Sequence, residues 1–155
     1  MDIELRPARP AEYEAAKSLV VEYVSSLGVD LGFQGIEQEL AEFPGAYEPP
    51  AGRLLLALAD GTPVGCVAVK RLDEDVCELK RLYVRPERRD AGLGRKLTEA
   101  ALDAARELGY RRVRLDTLPS MEAARSLYRA LAFTEIEAYR FNPVPGTAFF
   151  ELELS

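Results

Sequence analysis

Residues 88–97, with the sequence RRDAGLGRKL, are the stretch of this chain whose residue types point most directly to a chemical task. The stretch follows a run typical of a strand and opens a run typical of a helix, so Gly92 and Gly94 fall on the first helical turn. The first N–H groups of a helix lack intrahelical partners and, with the helix dipole, attract anions. Glycine lets a phosphate approach the backbone, and the basic side chains can add charge-assisted contacts. The pattern predicts a phosphate-binding turn, against the alternative of an ordinary turn beside a solvated basic face.

Two widespread phosphate motifs fit this stretch less well. A Walker loop requires Gly-x-x-x-x-Gly-Lys-Ser/Thr, and the stretch does not have that spacing. A dinucleotide fingerprint requires a third glycine three residues after Gly94, where Leu97 stands. Neither of these two nucleotide-binding folds is therefore indicated.

The overall composition limits the classes of protein that can carry this turn. With 155 residues, of which 48% are hydrophobic and 30% charged, the chain predicts one folded domain over residues 1–155. No apolar run approaches the ~20 residues of a membrane span, so no membrane partner is expected. A net charge of −6 argues against a nucleic-acid partner. Two cysteines, and an N-terminus without an apolar signal region, favour a cytoplasmic location.

The absence of histidine restricts the chemistry further. It removes Ser-His-Asp and Cys-His mechanisms and most zinc sites, so no metal is expected. Proton transfer must then come from Asp, Glu, Tyr, Lys, Cys or water. We interpret Cys66 and Cys77 as buried apolar residues rather than nucleophiles, because free cysteine is usually buried.

Hydrophobic periodicity and turn residues divide the chain into strands and helices. The predicted strands are residues 2–6, 53–59, 63–70, 76–84, 112–117, 133–139 and 148–154, and the predicted helices are residues 10–27, 35–43, 93–108 and 121–132. A β-α-β crossover lies in the middle of this order, and hairpins flank it. The order predicts an α/β (α+β) domain in which helices cover the faces of a mixed sheet.

Two separate motifs resemble those of the GNAT superfamily of N-acetyltransferases. Residues 82–86 (LYVRP), followed by Arg89-x-x-Gly92-x-Gly94, resemble motif A, and residues 124–133 (ARSLYRALAF) are similar to motif B. The predicted element order agrees with the family over essentially the whole chain. The resemblance implies a mixed, splayed sheet of about six to seven strands flanked by about four helices, and an enzyme that acetylates an amine.

The resemblance also implies that acetyl-coenzyme A is the co-substrate, with its pyrophosphate on the amides of residues 89–95. Its pantetheine arm is expected to pair with the strand at Leu82 and Val84. The residues implied in binding it are Leu82, Tyr83, Val84, Arg89, Asp90, Ala91, Gly92, Leu93, Gly94, Arg95, Lys96 and Ser120.

Three positions depart from the family's motifs. Asp90 stands where glycine is usual; aspartate tolerates unusual backbone angles, but we expect its charge to weaken pyrophosphate binding. Met121 stands where many members carry asparagine, so that contact is absent, and Ser120 is expected to replace it in part. Ala132 replaces the usual glycine before Phe133, which affects the end of a helix more than the chemistry.

Acetyl transfer to an amine needs a base for the ammonium group and an acid for the leaving thiolate. The resemblance implies that the motif B tyrosine, Tyr128, is the acid. The alternative is a core aromatic residue, since Leu127 and Leu131 are near it in the helix. A covalent acetyl-cysteine intermediate is a further alternative, although nothing singles out either cysteine.

Glu78 and Asp116 are the candidate bases. Glu78 lies at the spacing before the glycine turn at which family members carry a glutamate base, and period-two alternation puts Glu78, Lys80, Leu82 and Val84 on one face. Its alternative role is a strand charge beside Lys80. Asp116 lies at the end of a strand, where α/β sheets commonly face a ligand. Ordered water is left open as the base.

In the family, acceptor selection falls to the segments that correspond to residues 28–34 and 139–146. Both contain the aromatic and polar groups of a small-molecule pocket, and both also read as ordinary glycine- and proline-rich connections. The implied acceptor contacts are Tyr23, Asp30, Phe33, Tyr139 and Asn142.

These features predict a cytoplasmic N-acetyltransferase that acetylates a primary amine by direct transfer in a ternary complex. The acceptor is expected to be a small molecule, because the chain is acidic and the two acceptor loops look enclosed. Acetylation of protein N-termini or lysines, and a non-catalytic acyl-coenzyme A sensor, are the alternatives. A homodimer is compatible with the family, although no stretch identifies an interface.

Overall fold

Within residues 2–32 and 35–154, which the computed structural model describes, seven strands and four helices follow one another in the predicted order. They are β1 (Ile3–Pro7), α1 (Tyr13–Ser26), α2 (Ile36–Glu42), β2 (Arg53–Ala59), β3 (Thr62–Arg71), β4 (Val76–Val84), α3 (Leu93–Glu107), β5 (Arg112–Thr117), α4 (Glu122–Ala130), β6 (Thr134–Ile136) and β7 (Ala148–Glu153). Short 3-10 turns precede α1, β2 and α3. The predicted helix 10–27 therefore opens with a 3-10 turn and becomes α-helical at Tyr13.

The strands form one mixed sheet in the order β1-β2-β3-β4-β5-β7-β6. Neighbouring strands are antiparallel except for β4 and β5, which are parallel and joined by α3. The β4–β5 ladder ends with the pair of Glu78 and Arg114, although both strands continue. The sheet therefore opens into a wedge beyond that pair, and the predicted splayed, mixed sheet is confirmed.

Each face of the sheet is covered by helices with a conventional apolar stripe. Helix α3 buries Leu93, Leu97 and Ala101 against one face, and α1 buries Leu19 and Val20 against the other. Burial of one such leucine contributes about 1.5–3 kcal/mol, which makes both helices fixed walls for the wedge. None of the helices in the described part of the chain combines the length and apolar character of a membrane span.

A β-bulge interrupts β4 at Arg81, whose φ is +61°, and shifts the register with β3. Before the bulge, the side chains of Glu78 and Lys80 lie on the same side, with 3.9 Å between Oε1 and Nζ. After it, Leu82 and Val84 pack with the apolar cluster beneath α3. The prediction that Glu78, Lys80, Leu82 and Val84 share one face is wrong, because a bulge inserts an extra residue and reverses the alternation.

Helix α4 ends in a Schellman motif that holds Tyr128 in place. The N–H of Ala132 donates to Arg129 O and the N–H of Phe133 donates to Tyr128 O, both at 3.0 Å. The Phe133 ring then packs against the Tyr128 ring, with 5.4 Å between centroids. This helix end requires a left-handed residue, and Ala132 adopts a φ of +73°.

We expect Ala132→Gly to raise the free energy of unfolding by about 1 kcal/mol, because alanine is strained in the left-handed region and glycine is not. Urea unfolding followed by circular dichroism measures the change. The matched control is Ala130→Gly, an exposed position at the end of α4 itself, which should lower the free energy by about 0.5–1 kcal/mol. Equal losses at both positions would contradict the strain assigned to Ala132.

Candidate active site

The turn before α3 presents unpaired backbone N–H groups to open space. Gly92 has a φ of +70° and precedes the first residue of α3, where no side chain caps the helix. A Cβ atom at Gly92 or Gly94 would meet no other atom within 4 Å. The first turn of α3 contains no acidic residue, so an oxyanion can approach its amides directly.

Arg85 and Arg89 connect this turn to α1 and to the end of β4. The Arg85 guanidinium forms an ion pair with Glu22 of α1 at 2.8 Å. The Nε of Arg89 donates to Val84 O at 3.0 Å, and its guanidinium lies 5.8 Å from the Tyr83 ring centroid. The turn is thereby held against the end of β4, which places its amides at the mouth of the wedge.

A groove of about 360 Å³ leads from this turn along the end of β4 and between α1 and α4. Several predicted co-substrate residues line it together: Leu82, Tyr83, Val84, Arg89, Gly94 and Ser120. Met121 also lines it, so the position that departs from the family pattern does lie beside the groove. Leu93, in contrast, is fully buried in the core, while Arg95 and Lys96 lie on the exposed surface of α3. The predicted contacts of Asp90 and Ala91 fall on side chains outside the described part of the structure.

The groove continues into a narrow cavity of about 60 Å³ inside the wedge between β4 and β5. The two spaces share five lining residues: Tyr23, Leu27, Leu82, Met121 and Ala124. Lys80 and Arg81 line the β4 side of the cavity, and Asp116 lines the β5 side. A long ligand with an anionic end can therefore lie in the groove and extend its other end into the cavity.

Tyr128 lines this cavity from α4 and is 4% exposed. Its hydroxyl makes no hydrogen bond to any residue in the described ranges. Burial raises the pKa of the Tyr128 hydroxyl, so the group is protonated across the neutral range. The same hydroxyl can therefore donate a hydrogen bond or a proton to a group that enters the cavity.

Glu78 is 1% exposed and is not among the residues that line the cavity. Its Oε2 accepts a hydrogen bond from the Tyr139 hydroxyl and an ion pair from Arg140, both at 2.6 Å. Its Oε1 lies 3.9 Å from the Nζ atoms of both Lys70 and Lys80. The carboxylate is thus surrounded by groups that stabilise its charge, and within this cluster Lys80 is the side chain that reaches the cavity.

Among the described residues, Asp116 is the carboxylate that lines the cavity. It is half-buried at the end of β5, and the Asn142 Nδ2 donates to its Oδ2 at 3.3 Å. The Asn142 Oδ1 in turn accepts the N–H of Val144 at 3.0 Å, which fixes the orientation of the amide. The structure therefore brings Asp116 and Tyr128 to one cavity and leaves Glu78 outside it.

The segment between β6 and β7 closes one side of the site and is held there by distant side chains. Tyr139 and Arg140 bind Glu78, and the Tyr139 ring packs on Phe149 with 5.3 Å between centroids. From α4, Arg125 donates to Gly146 O at 2.7 Å. Strand β6 is shorter than the predicted 133–139 because the chain leaves the sheet to make these contacts.

The predicted acceptor residues divide into three groups. Tyr23 and Asn142 line the cavity, while Tyr139 lies behind it on Glu78. Asp30 is exposed and accepts the N–H of Gly32 at 2.8 Å, so it shapes its own loop. Phe33 lies outside the described residues.

Lys80 and Arg81 also line the cavity, but they were not predicted from the sequence as binding residues. A charged side chain in a largely apolar strand is the feature that could have indicated them. Lys80 is 5% exposed at its side chain, and burial lowers the pKa of its ammonium to about 8. Arg81 is bound by Glu39 of α2, with 2.7 Å between Nη2 and Oε1. Lys80 and Arg81 therefore both bring a basic side chain to the β4 wall of the cavity.

The two cysteines contribute no reactive thiol to this cavity. Cys66 and Cys77 are buried, as predicted, and burial raises the pKa of each thiol to about 12. The described residues also contain no cluster of acidic or cysteine side chains suited to a metal ion.

A groove that leads from a helix N-terminus into a wedge between diverging strands suits a long ligand with an anionic end, such as the acyl carrier of an acyltransferase. The chain belongs to the acetyltransferase (GNAT) family, whose sequence profile matches residues 20–133, and it is an acyltransferase. The resemblance carried by the two motifs is thereby confirmed.

Individual relatives agree with this assignment. An N-acetyltransferase of Schizosaccharomyces pombe is 40% identical over 94% of this chain and 91% of the relative. The N-acetylaspartate synthetase of Rattus norvegicus is 30% identical over 83% of this chain, which spans 44% of that longer protein. The crystal structure of a GNAT acetyltransferase from Staphylococcus aureus superposes with a TM-score of 0.81 at 20% identity, covering 99% of this chain and all of the other.

Proposed function

We propose that this protein transfers the acetyl group of acetyl-coenzyme A to a primary amine of a small molecule. The observation that carries the proposal is the continuous path from the uncapped N-terminus of α3, along the groove, to a cavity that holds Tyr128 and Asp116. The N-acetylaspartate synthetase relative is named for a small acetylated product, and this supports a small acceptor. The narrow inner cavity also favours a small molecule over a protein segment.

The proposed reaction is direct transfer within a ternary complex. The acceptor nitrogen attacks the thioester carbonyl, a C–N bond forms, and the C–S bond breaks to release the thiolate. The amine proton passes to Asp116 or through it to water, and the thiolate takes a proton from Tyr128. The buried cysteines, whose thiols have a raised pKa of about 12, give no support to a covalent acetyl-enzyme route.

Two measurements test the proposed function. Calorimetric titration with acetyl-coenzyme A should give saturable binding at one site, and a thiol-release assay with a panel of amines should then show turnover. Binding without turnover on any amine would favour the acyl-coenzyme A sensor. Turnover on peptides and on none of the small amines would favour a protein acetyltransferase.

We further propose that Glu78 positions the acceptor side of the site and is not the base. Glu78→Gln should raise the acceptor KM about tenfold, because it weakens a charged hydrogen bond to Arg140, and should leave the pH dependence of kcat unchanged. Asp116→Asn, as the comparison, should lower kcat more than it raises KM. Steady-state kinetics over a pH series measure both. A Glu78→Gln enzyme that loses the rise of kcat with pH would return the role of base to Glu78.

A further inference from the structure

The inner end of the cavity lies where β4 and β5 separate. The last pair of the β4–β5 ladder is Glu78 with Arg114, so Leu79 and Leu115 are the first residues of the two strands beyond that pair. Both leucines line the cavity, and they are 4% and 1% exposed, respectively. Two buried leucines therefore bound the narrowest part of the wedge.

Leu79 and Leu115 are held in position from outside the wedge. Leu79 pairs with Val69 on β3, and Leu115 pairs with Phe150 on β7. Both leucines also belong to the apolar cluster beneath α3, and side chains in a close-packed interior have few alternative positions. A bound molecule therefore cannot displace these leucines without disturbing the neighbouring ladders and the core.

The lining of the cavity has a polar part and an apolar part. Asp116 and Asn142, which are joined by a hydrogen bond, contribute polar groups. Leu79, Leu115 and Tyr128 line the same cavity and belong to the apolar cluster. Burial of apolar surface is favourable, whereas burial of a polar group without a partner costs free energy. The acceptor amine is therefore expected at the polar part, and the hydrocarbon end of the acyl group at the apolar part.

The volume of the cavity limits the length of acyl chain that fits beside the acceptor nitrogen. About 10–15 Å³ is needed for each group of the size of a water molecule, so a cavity of about 60 Å³ holds roughly four to six such groups. An acetyl group and the attacking nitrogen amount to four non-hydrogen atoms, whereas a butyryl group and the nitrogen amount to six. The thioester sulfur and the rest of the acceptor also need space. The available volume therefore suits an acetyl group better than a longer chain.

We propose that Leu79 and Leu115 set the length of the acyl chain that this enzyme transfers and restrict it to short chains, with acetyl preferred. This inference rests on the proposed function and specifies the acyl donor of the same site. In this arrangement the acetyl methyl group lies against the two leucines. A longer chain continues from that methyl carbon, so its next carbons would have to enter the space that the leucines occupy.

The first test compares acetyl-, propionyl- and butyryl-coenzyme A as donors to one amine that the wild-type enzyme accepts. Coenzyme A release gives kcat/KM for each donor. We expect kcat/KM to fall by about tenfold or more for each added methylene, because an apolar pocket discriminates against one extra methylene by about that factor or more. Equal kcat/KM values for acetyl- and butyryl-coenzyme A would overturn the proposal.

The second test shortens the two leucines and uses Val113→Ala as the matched control. Val113 lies two residues before Leu115 on β5 and in the same apolar cluster, but it pairs with Cys77 inside the closed part of the ladder and does not line the cavity. Leu115→Ala and Leu79→Ala should each raise the butyryl-to-acetyl ratio of kcat/KM by about tenfold or more, and Val113→Ala should leave it unchanged. This ratio does not depend on the fraction of enzyme that is folded, because both donors are measured on the same preparation.

The outcomes separate this inference from the proposed function. An unchanged ratio in both leucine variants, or an equal rise in Val113→Ala, would overturn the role of the two leucines and leave the acetyltransferase in place. Bound acetyl-coenzyme A with no turnover on any amine would overturn both. If Leu115→Ala does not fold, Leu115→Val removes a single methylene and should raise the propionyl-to-acetyl ratio, and an unchanged ratio in that variant would equally count against the proposal.

Discussion

Gly92→Glu is expected to abolish the binding of acetyl-coenzyme A, leaving no saturable binding in calorimetric titration. The backbone at this position has a φ of +70°, and the side chain would project into the open space in front of the α3 amides. A carboxylate there would occupy the space proposed for the pyrophosphate and repel it, while also satisfying the helix N-terminus itself. Calorimetric titration of the purified variant measures the loss directly.

Gly109→Glu is the matched control for this substitution. Gly109 follows the other end of α3, has a φ of +88°, and would also place a Cβ in open space. The two variants therefore share the strain of a left-handed glutamate on the same helix, and they differ in which end of the helix dipole receives the charge. We expect Gly109→Glu to lose stability but to bind acetyl-coenzyme A as the wild-type enzyme does. Equal affinities for the two variants would remove the phosphate site from this turn.

The glycine turn was predictable because its signal is local. The strand before it, the glycines within it and the apolar stripe after it all lie within one continuous segment, and helix start signals act over a few residues. The order of strands and helices was predictable for the same reason, since alternation and helical periodicity belong to each segment. The course of the groove also depends on α1 and α4, which are distant in the sequence. It was predicted only because the two motifs resemble those of the family.

The environment of Glu78 could not be predicted from the sequence alone. Its two closest partners, Tyr139 and Arg140, are more than 60 residues away in the chain, and they reach it because β6 ends at Ile136. Alternation along β4 also failed at the bulge, where Arg81 adopts a positive φ without a glycine to signal it. Both features are determined by tertiary packing, which overrides local propensity.

At position 132 the sequence indicated an unusual residue, and the structure shows why that residue matters. The motif comparison showed alanine where glycine is usual and predicted an effect on the helix end. The structure gives Ala132 a φ of +73° at the end of the helix that carries Tyr128. Strain at this residue therefore bears on how firmly the candidate acid is held.

Tyr128→Phe is expected to lower kcat by about 100-fold or more, the range found when a positioned proton donor is removed, with little change in the affinity for acetyl-coenzyme A. The hydroxyl is buried in the cavity, and burial raises its pKa, so it is protonated at neutral pH and can donate to the departing thiolate. No described residue hydrogen-bonds to it, so its removal leaves no partner unsatisfied. The loss should therefore appear in turnover and not in the free energy of unfolding, as steady-state kinetics and urea unfolding will show.

Two other tyrosines make this prediction specific. Tyr110 donates a hydrogen bond to Ala51 O at 2.6 Å away from the cavity, so Tyr110→Phe should cost about 1 kcal/mol of stability and leave kcat unchanged. Tyr23 also lines the cavity, and burial raises its pKa to about 12, so its hydroxyl is a second protonated donor. If Tyr128→Phe retains full turnover and Tyr23→Phe loses it, the acid is Tyr23. If both variants retain it, the thiolate leaves without a tyrosine donor, and the family's motif B tyrosine is in this chain a core aromatic residue.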